Sequence, residues 1–572
     1  MTSQAISASD EVELETISAV LPAGSTVHAW IKASHGVVPG RLTAHVDGNT
    51  AGVVETSNPH EFEFRLLTLE RVGDTVFSYD PATTEVSVLY AFLQPRVLEE
   101  GIRLLHVRPA NAAPAVPGGY HFRPPFGWMN DPNGFGRFGG RLHLFYQHYP
   151  HSLRWNNMHW GHAVSQDYLR WTHLPIFLPP SDELAARADG RGGAFSGSAI
   201  ALPGDEAGLR IFFTEHMKDR EPEEQVQFTA TSRDLVNVDP ADLILPARPA
   251  GLGLTRDFRD PYVFSGPDGK WKMLLGTRDR EGGVILLYET DDPAAASGWT
   301  FLGTLHRENR FGMTAAECPC MVPLDGPASD PSTRWALIFG LLTSRDPVTG
   351  RRNMTLATIG RFDGQRFLIE FEQELDFGTD AYAFQAFVDE GGPVGIAWLA
   401  NWTDISREID MPTAMTLPRR LALQSGALIT PPVSGIESLR QHQLDAGGFL
   451  DGRTVDLVNG SVEILLTLGQ AGNAFRLDLE HPGATVAVQL NKDGLSIPFS
   501  VANTKAAPRY IAAGARPSTI RIFLDAGSIE VFADDGRWTG TKRLPGFDGV
   551  SAVRLTAPER NIIAAEIWQL GL

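Results

Sequence analysis

The sequence predicts an all-β protein, and two features of the chain support this. Residues near both ends alternate apolar and polar side chains, as over residues 26–31 and 520–525. The middle of the chain is rich in Trp, Gly and Asp, with short apolar runs separated by acidic or glycine-containing turns. Period-two alternation between turn residues is typical of antiparallel strands. We therefore expect an N-terminal β-rich accessory domain over residues 1–110, a central domain over 111–433 and a third domain over 434–572.

The N-terminal region is expected to form antiparallel strands. Alternation is clearest in three segments, Thr26–Ile31, Glu61–Leu66 and Glu85–Tyr90. The following segment, Arg108–Gly119, is rich in Pro and Ala, a composition typical of loops. We expect it to link this region to the central domain.

A loose repeat runs through the central region. In each copy an acidic or glycine turn is followed by a bulky residue, a pattern that hairpins favour. The four copies are Ser165–Trp171, Ser232–Val238, Asp291–Phe301 and Asp363–Phe367. The copies lie about 60–70 residues apart, whereas propeller blades typically repeat every 40–50 residues. A propeller is therefore compatible with this region if its loops are long.

The C-terminal region is expected to begin with a short helical connector, Ser434–Gln443, and then to return to strands. Alternation is clear in Ser461–Leu466, Ala484–Val488 and Ile520–Asp525. Several short strands of this kind suggest a β-sandwich.

Composition excludes several classes of protein. The chain has 49 Lys and Arg against 68 Asp and Glu, a net charge of −19. Such a field repels nucleic acid and anionic membranes, whereas a neutral sugar is indifferent to it. The sequence contains no run of about 18 apolar residues, the length that a membrane-spanning helix requires. We expect neither a nucleic-acid partner nor a membrane partner.

The cysteines and the N-terminal residues indicate the cellular compartment in which the protein is expected. Cys318 and Cys320 are the two cysteines, too close together for an easy disulfide and without a second pair to complete a metal site. The N-terminus carries Asp10, Glu11 and Glu13 instead of a basic and then apolar block, so it does not resemble a secretory signal. We expect a cytoplasmic protein, or a secreted one if a signal has been removed.

Three short motifs hold carboxylates in distinctive settings. Asp131 lies within Trp128–Gly134, in a turn that ends in Asn-Gly; read alone, this is more typical of an Asx turn joining two strands. Asp260 follows Arg259, which alone would be an ordinary surface ion pair. Glu317 is flanked by Ala, Cys and Pro, and apolar surroundings favour the protonated carboxyl group that a general acid needs.

Together these motifs predict glycoside cleavage. That reaction needs one carboxyl group to protonate the leaving oxygen and another to attack or stabilise the anomeric carbon. Aromatic side chains supply surfaces for sugar rings, and Trp155 lies in a polar loop, residues 154–157, suited to this role.

Through these and further motifs, the chain resembles glycoside hydrolase family 32, the family of invertases, inulinases, levanases and fructosyltransferases. The resemblance covers about residue 118 to the C-terminus. The motifs that carry it occur in order: Trp128–Gly134, Phe145–Gln147, Trp160–Ala163, Phe195–Ser198, Phe258–Pro261, Glu317–Pro319 and Thr416–Arg419. A later segment, Gly527–Phe532, is similar to the family's C-terminal sandwich.

The resemblance implies a five-bladed β-propeller with an axial funnel, followed by a C-terminal β-sandwich; residues 1–110 are an extra N-terminal β-rich domain. By motif, Asp131 resembles the nucleophile, Glu317 the acid/base and Asp260 the transition-state stabiliser. Residues resembling those that line the fructose pocket are Asn130, Gln147, Trp155, Phe195, Ser196, Arg259 and Cys318. No cofactor and no metal are expected. We assign packing roles to His143, His148, His151, His159 and His162.

The expected function is that of a retaining β-fructofuranosidase, which releases terminal fructosyl units from sucrose, fructo-oligosaccharides or fructans through a covalent fructosyl-enzyme. Its partner is then a small-molecule or polymeric fructoside. One alternative is a fructosyltransferase, including a levan or inulin fructotransferase that makes difructose anhydride. A second is a non-catalytic fructan-binding protein. The sequence leaves the linkage, endo or exo action, hydrolysis or transfer, the role of residues 1–110 and the oligomeric state open.

Overall fold

The computed structural model describes residues 13–112, 119–202, 204–403, 405, 409, 412–501, 508–545 and 549–572. Strands dominate these residues, which confirms the all-β prediction. The short helices are Gln94–Arg96, Val97–Glu100, Pro109–Asn111, Asp182–Ala185, Ile436–Leu439 and Gly447–Leu450. Within this described part of the chain, no helix is long and apolar enough to cross a membrane. The acidic residues Asp10 and Glu11, and residues 113–118 of the linker expected over 108–119, lie outside the described residues.

The chain divides into two compact units. The first comprises the described residues up to Ala112 together with Pro150–Ser152 and Ser181–Gly190, and the second comprises the rest. Two segments from the central region therefore belong to the N-terminal unit, which alternation along the sequence does not reveal. The domain boundaries at residues 110 and 433 stay predictions, as does the cytoplasmic location.

The N-terminal unit contains two four-stranded antiparallel sheets that share one apolar core. In spatial order, the first sheet is Glu15–Leu21, Gly73–Tyr79, Gly40–Val46 and Asn49–Thr56, and the second is Glu63–Leu69, Ser25–Ala33, Thr84–Leu93 and Arg103–Val107. Val27, Leu69 and Leu89 of the second sheet meet Leu42 and Phe77 of the first in this core. Inward and outward positions alternate along Gly40–Val46 and Gly73–Tyr79, as the period-two pattern predicts, whereas Ser25–Ala33 and Thr84–Leu93 are buried along most of their length.

The second unit begins with five successive antiparallel sheets. Neighbouring strands in them are consecutive in sequence, except that Arg419–Arg420 of the fifth sheet pairs with Gly392–Leu399. The first is Trp128–Phe138, Arg141–Tyr149, His159–Ser165 and Trp171–His173; the second is Gly192–Leu202, Asp205–Met217, Gln225–Ser232 and Asp242–Leu245; the third is Phe258–Ser265, Trp271–Arg278, Gly283–Thr290 and Thr300–Glu308; the fourth is Ala315–Pro323, Arg334–Leu342, Thr355–Phe362 and Phe367–Glu374; the fifth is Tyr382–Asp389, Gly392–Leu399, Ala414–Met415 and Arg419–Arg420. The first strand of each sheet contacts the first strands of the sheets before and after it, and the fifth contacts the first. This closed ring is a β-propeller.

The repeated turn of the sequence has one structural role. In each of the first four sheets it joins the third strand to the fourth. The side chains of Asp167, Asp234, Asp292 and Asp363 accept hydrogen bonds there from backbone N–H groups two or three residues further on. Each turn is thus stabilised by its own aspartate, as Asx turns are.

The C-terminal part of the second unit is a β-sandwich, preceded by the hairpin Ala422–Gln424 and Ala427–Ile429. One sheet is Arg440–Leu444, Ile562–Leu570, Val462–Leu468, Thr519–Asp525, Ser528–Ala533 and Trp538–Arg543; the other is Thr454–Asp456, Ala552–Thr556, Phe475–His481, Ala484–Asn491, Gly494–Ile497 and Tyr510–Ala513, with Phe499–Val501 beside Ala484–Asn491. Apolar residues of both sheets form one buried core.

The expected helical connector at 434–443 is wrong over most of its length. A 3-10 turn spans Ile436–Leu439, and the chain then becomes the edge strand Arg440–Leu444, paired with Ile562–Leu570. Tertiary pairing with a distant strand overrides the local preference for a helix here.

Buried charges join the propeller to the sandwich. Arg419 of the fifth propeller sheet donates to Asp376 at 3.1 Å and to Glu530 of the sandwich at 2.7 Å. The His121 ring lies 2.8 Å from Glu530 and 2.7 Å from Asp525. The side chains of these five residues, here called the propeller–sandwich network, have no exposed surface. Removing one member would leave an uncompensated buried charge, which is costly.

Candidate active site

All five first strands of the propeller contain a bulge at the same level. At each bulge two residues face one residue of the second strand: 130–131, 195–196, 260–261, 318–319 and 383–384. Bulges redirect side chains and are frequent beside active sites. Here they coincide with the sequence motifs that contain Asp131, Ser196, Asp260 and Cys318.

Three of these bulges hold strained backbone. The φ angles of Asp260, Cys318 and Ala383 are 64°, 48° and 54°, in the left-handed region. Such a conformation costs a residue with a side chain about 1–3 kcal/mol and persists where surrounding structure enforces it. Two of the three residues belong to the predicted site.

A cavity of about 780 Å³ lies beside the bulges. Nine of the ten predicted site residues line it: Asn130, Asp131, Gln147, Trp155, Phe195, Ser196, Arg259, Asp260 and Glu317. The tenth, Cys318, is buried and contacts two of the lining carboxylates. The structure therefore brings together residues that span 189 positions of the sequence, from 130 to 318.

Asp131 has one hydrogen-bonded oxygen and one without a partner. Its Oδ2 accepts from the Ser196 hydroxyl at 2.8 Å and from the Cys318 thiol at 3.5 Å. Its Oδ1 is buried and has no hydrogen-bond partner among the described residues. Burial raises the pKa of Asp131, and the nearby charge of Glu317 raises it further. An incompletely solvated carboxylate of this kind is a stronger base and nucleophile than one in water.

Asp260 is more strongly perturbed. Its Oδ2 accepts from the backbone N–H of Cys318 at 2.8 Å, and its own N–H donates to the Thr214 hydroxyl at 3.0 Å. Burial raises the pKa of Asp260 to about 7, against the opposing charge of Arg259, and the negative charge of Glu317 adds to the increase. The carboxyl is therefore poised to gain stability from a positive charge formed beside it.

Glu317 is held by two donors. Arg259 donates to Oε1 at 2.6 Å and the Tyr382 hydroxyl donates to Oε2 at 2.6 Å. Arg259 is fixed in turn by Asp257 at 2.7 Å. The carboxyl group of Glu317 is thus oriented from both sides, as a group that must deliver a proton along one direction requires.

Tyr382 was missed by sequence reasoning, although a signal for it exists. Arg259, Glu317 and Tyr382 each precede the bulge of their own first strand, so they occupy equivalent positions in three successive sheets. A repeat aligned on the first strands would have identified Tyr382. The repeat visible in the sequence instead marks the turns between third and fourth strands.

The other predicted pocket residues form the wall around these carboxylates. Trp155 and Phe195 meet edge to face with ring centroids 6.2 Å apart. The Gln147 side chain donates to the Ala194 carbonyl at 2.9 Å, and the Asn130 side chain accepts from the Trp128 indole at 2.7 Å. Two further rings of the wall, His216 and Trp402, were not predicted; no local motif distinguishes them.

One group of possible metal ligands occurs among the described residues, away from the cavity. Ligand atoms of His306, Glu308 and Glu372 lie within 4.8 Å of one another. Arg310 forms ion pairs with both glutamates and so already supplies the positive charge there. Of the five histidines expected to pack, His143, His148, His159 and His162 are buried in the second unit, and burial lowers the pKa of each. His151 is buried in the N-terminal unit.

A propeller that presents several carboxyl groups in one axial cavity defines a class of protein, the glycosidases that work with paired carboxyl groups. Comparison with family models agrees. The description "Glycosyl hydrolases family 32 N-terminal domain" matches residues 121–432, and "Glycosyl hydrolases family 32 C terminal" matches residues 459–568. The chain therefore belongs to glycosyl hydrolase family 32, and the predicted family and fold class are confirmed.

Named relatives have related activities. A sucrose-6-phosphate hydrolase of Escherichia coli is 32% identical over 491 residues, which cover 79% of this chain and 94% of the relative. A levanase of Bacillus subtilis is 29% identical over 463 residues, covering 73% of this chain and 64% of the relative.

Solved structures extend the comparison. A Bombyx mori family 32 β-fructofuranosidase has a TM-score of 0.63 at 26% identity, covering 79% of this chain and 93% of that protein. A Bifidobacterium adolescentis family 32 glycoside hydrolase has a TM-score of 0.84 at 23% identity, covering 97% and 99% of the two chains. The second match shares the fold of nearly the whole chain.

Proposed function

We propose that this protein is a retaining β-fructofuranosidase that removes terminal fructosyl units from sucrose, fructo-oligosaccharides or fructans. One observation carries the proposal. Asp131 and Glu317 line the same cavity and interact electrostatically, while Arg259 and Tyr382 orient Glu317. Two carboxyl groups in one sugar-sized cavity are what retaining glycoside cleavage requires.

In the first step, the Asp131 carboxylate attacks the anomeric carbon of the fructosyl unit. Glu317 donates its proton to the departing glycosidic oxygen as the carbon–oxygen bond breaks, and a fructosyl ester of Asp131 remains. The transition state resembles an oxocarbenium ion, so the carboxyl groups of Asp131 and Asp260 stabilise its positive charge.

In the second step, Glu317 removes a proton from a water molecule that attacks the same carbon. The ester bond to Asp131 breaks, and fructose leaves with its configuration retained. Ser196 and Cys318 donate hydrogen bonds to Asp131, which suits a leaving carboxylate. Trp155 and Phe195 supply apolar surface for the sugar.

A fructosyltransferase is the alternative, because a sugar hydroxyl can replace water in the second step without any change at the carboxyl groups. A sucrose:sucrose 1-fructosyltransferase of Festuca arundinacea is 31% identical over 404 residues, covering 65% of this chain and 55% of the relative. The relatives named as a sucrose-6-phosphate hydrolase, a raffinose invertase and a levanase support hydrolysis.

The test is a chromatographic product profile with sucrose, inulin and levan. The wild type should release fructose, Asp131→Asn should not, and Glu281→Gln, which changes an exposed glutamate outside the cavity, should match the wild type. Oligosaccharides or difructose anhydrides in place of fructose would move the assignment to transfer. No turnover of any of the three would refute the proposal and leave a fructan-binding role.

A further inference from the structure

The connection between the second and third strands of the first propeller sheet, residues 150–158, begins in the N-terminal unit. Pro150–Ser152 belongs to the first unit, and the rest of the connection belongs to the second. Two predicted pocket residues flank this segment: Gln147 lies three positions before Pro150, and Trp155 lies three positions after Ser152. The chain therefore joins a segment of the first unit, on both of its sides, to residues of the cavity wall.

Buried side chains of the N-terminal unit hold this segment. Asn111 donates to the Pro150 carbonyl at 2.7 Å, and Arg108 donates to the His151 carbonyl at 3.3 Å. The Ser87 hydroxyl lies 2.8 Å from Nδ1 of His151. Ser87 and Asn111 are fully buried and His151 is 1% exposed. Losing one partner of a buried hydrogen bond leaves the other unsatisfied, which is costly, so the segment is firmly fixed.

Aromatic rings complete the surroundings of His151. Its ring centroid lies 4.6 Å from that of Phe62 and 5.4 Å from that of Trp30. The Phe62 ring is itself covered by two cations, Lys32 at 5.0 Å and Arg108 at 5.2 Å from its centroid. A ring that is packed and hydrogen-bonded in this way has few other positions open to it. His151 and its hydrogen-bonding partners Ser87 and Asn111 are here called the His151 anchor.

Trp155 lies between this anchor and a second fixed point. It is half-buried, outside the two strands that the connection joins, and its ring is 6.2 Å from that of Phe195. The far end of the connection is fixed where the Met158 N–H donates to the Gly192 carbonyl at 2.8 Å. An irregular segment takes its course from its fixed ends, so a shift of the anchor would displace Trp155. Small displacements of a substrate contact are enough to weaken binding.

The other propeller segment in the first unit, Ser181–Gly190, offers an internal comparison. Asn58 donates to its Ala185 carbonyl at 2.8 Å. This segment leads almost directly into a propeller strand, Gly192–Leu202, whose backbone is closely packed. A Cβ atom at the first residue of that strand would collide with the carbonyl of His216. Strand pairing therefore holds the pocket residues of that strand, whereas Trp155 has no such support from its own backbone.

We propose that Ser87 and Asn111 are positioning residues for the sugar contact of Trp155, and that they act through Pro150–Ser152. The link is the covalent chain that leads from the anchor to Trp155. This inference rests on the proposed function and assigns the N-terminal unit a part in binding every fructoside, in place of a separate role in capturing polymers.

The test compares KM and kcat for sucrose in Ser87→Ala and Asn111→Ala protein. Each variant removes one hydrogen-bonding side chain of the anchor, and KM should rise about 5–10-fold. The kcat should stay within about 2-fold of the wild type, because the carboxyl groups are untouched. If Asn111→Ala does not fold, Ser87→Ala decides the matter alone.

Two matched controls separate positioning from general loss of packing. Ser25 is a buried serine of the same sheet as Ser87, and it donates to the Pro22 carbonyl at 2.7 Å. Ser25→Ala should leave KM within about 2-fold of the wild type. Asn58→Ala should do the same, because its segment leads into a strand that pairing already fixes. An equal rise of KM in Ser25→Ala and Ser87→Ala would overturn the inference.

A double-mutant cycle tests the path. In Trp155→Ala protein the contact that the anchor positions is already lost, so adding Ser87→Ala should change KM by less than about 2-fold. If the two substitutions instead raise KM independently, the anchor does not act through Trp155 and the inference is overturned.

Polymeric substrates complete the test. Sucrose and inulin should show the same relative loss of kcat/KM in Ser87→Ala. A loss confined to inulin, or no change in KM for either anchor variant, would overturn the inference and leave the proposed function intact. Turnover of neither sugar by the wild type would refute the proposed function instead. Calorimetry with sucrose then decides: weaker binding in Ser87→Ala, with Ser25→Ala unchanged, supports the anchor, and equal or absent binding overturns it.

Discussion

Two groups of buried carboxylates in the second unit differ in how their charge is compensated. Around the cavity, burial raises the pKa of Asp131 and Asp260, and Glu317 adds its negative charge. In the propeller–sandwich network burial acts the same way, but positive neighbours outweigh it at Asp525 and Glu530, whose pKa is lowered. Those neighbours are Arg123 and His121 for Asp525, and Arg419 and His121 for Glu530. At Asp376 burial prevails over the charge of Arg419, and the pKa is raised.

This difference in charge compensation distinguishes carboxylates that stabilise the fold from carboxylates that are ready to react. A carboxylate surrounded by cations and donors is stable, and its negative charge is already neutralised. A carboxylate left partly uncompensated destabilises the resting protein and is ready to stabilise a positive transition state. The network and the active site therefore use the same residue types for opposite purposes.

The largest expected effect is the loss of activity when the proposed nucleophile is removed, and the same variant tests how the two groups of carboxylates differ in their effect on stability. Asp131→Asn should lower kcat/KM on sucrose by a factor on the order of 10⁴ or more, since it removes the attacking carboxylate. Its melting temperature should stay at or above that of the wild type, because an undercompensated charge is removed. Asp525→Asn is the matched control and should lower the melting temperature instead. A strong loss of stability in Asp131→Asn would contradict the comparison.

Next in size is the removal of a network cation. Arg419→Met should lower the free energy of unfolding by about 3–5 kcal/mol, because Asp376 and Glu530 stay buried without their partner. The value is measured by urea denaturation. At temperatures where the variant remains folded, its kcat should be close to that of the wild type. A variant as stable as the wild type would show that the network is not needed to join propeller and sandwich.

The pH dependence of stability offers a third test. A carboxyl whose folded-state pKa is raised binds its proton more tightly when folded, so Asp260 weakens the fold as pH rises from about 4 to about 7. Asp260→Asn should remove this loss and gain roughly 4 kcal/mol over the wild type at pH 8, with little difference at pH 4. Denaturation at both pH values checks it. An equal change at both would assign the effect to packing.

Asp525 and Glu530 of the propeller–sandwich network predict the opposite dependence of stability on pH. The lowered pKa of Asp525 and Glu530 means that their stabilisation is present above their unfolded pKa and is lost as pH falls toward their folded values. Asp525→Asn should therefore be less stable than the wild type at pH 8 and approach it in strong acid. This variant is the counterpart of Asp260→Asn in the same measurement.

The smallest expected effect concerns the orientation of Glu317. Tyr382→Phe removes the donor to Oε2 and leaves Arg259 on Oε1. We expect kcat/KM to fall about 10-fold, as losing a hydrogen bond to a charged group predicts. Tyr262→Phe, a buried tyrosine that donates to the Ala386 carbonyl, is the control for packing.

The structure brings the predicted site residues to one cavity, and the sequence signal for the three carboxylates among them is local. Asp131, Asp260 and Glu317 stand in motifs whose neighbours are part of the same bulge, so a short stretch of sequence contains most of the relevant information. Tyr382 contributes through a partner 65 positions away in sequence. Its own neighbours, Ala381 and Ala383, carry no chemical signal.

The sequence by itself determined the all-β class, the strands at both ends and the motifs that contain the candidate site residues, because alternation, turn residues and compact motifs are local properties. Tertiary structure alone decided the edge strand at 440–444, the assignment of segments 150–152 and 181–190 to the N-terminal unit, and the strand bulges that bring distant motifs to one cavity. These depend on which distant strands pair. Pairing is set by long-range contacts and register, which a single sequence does not encode in any one segment.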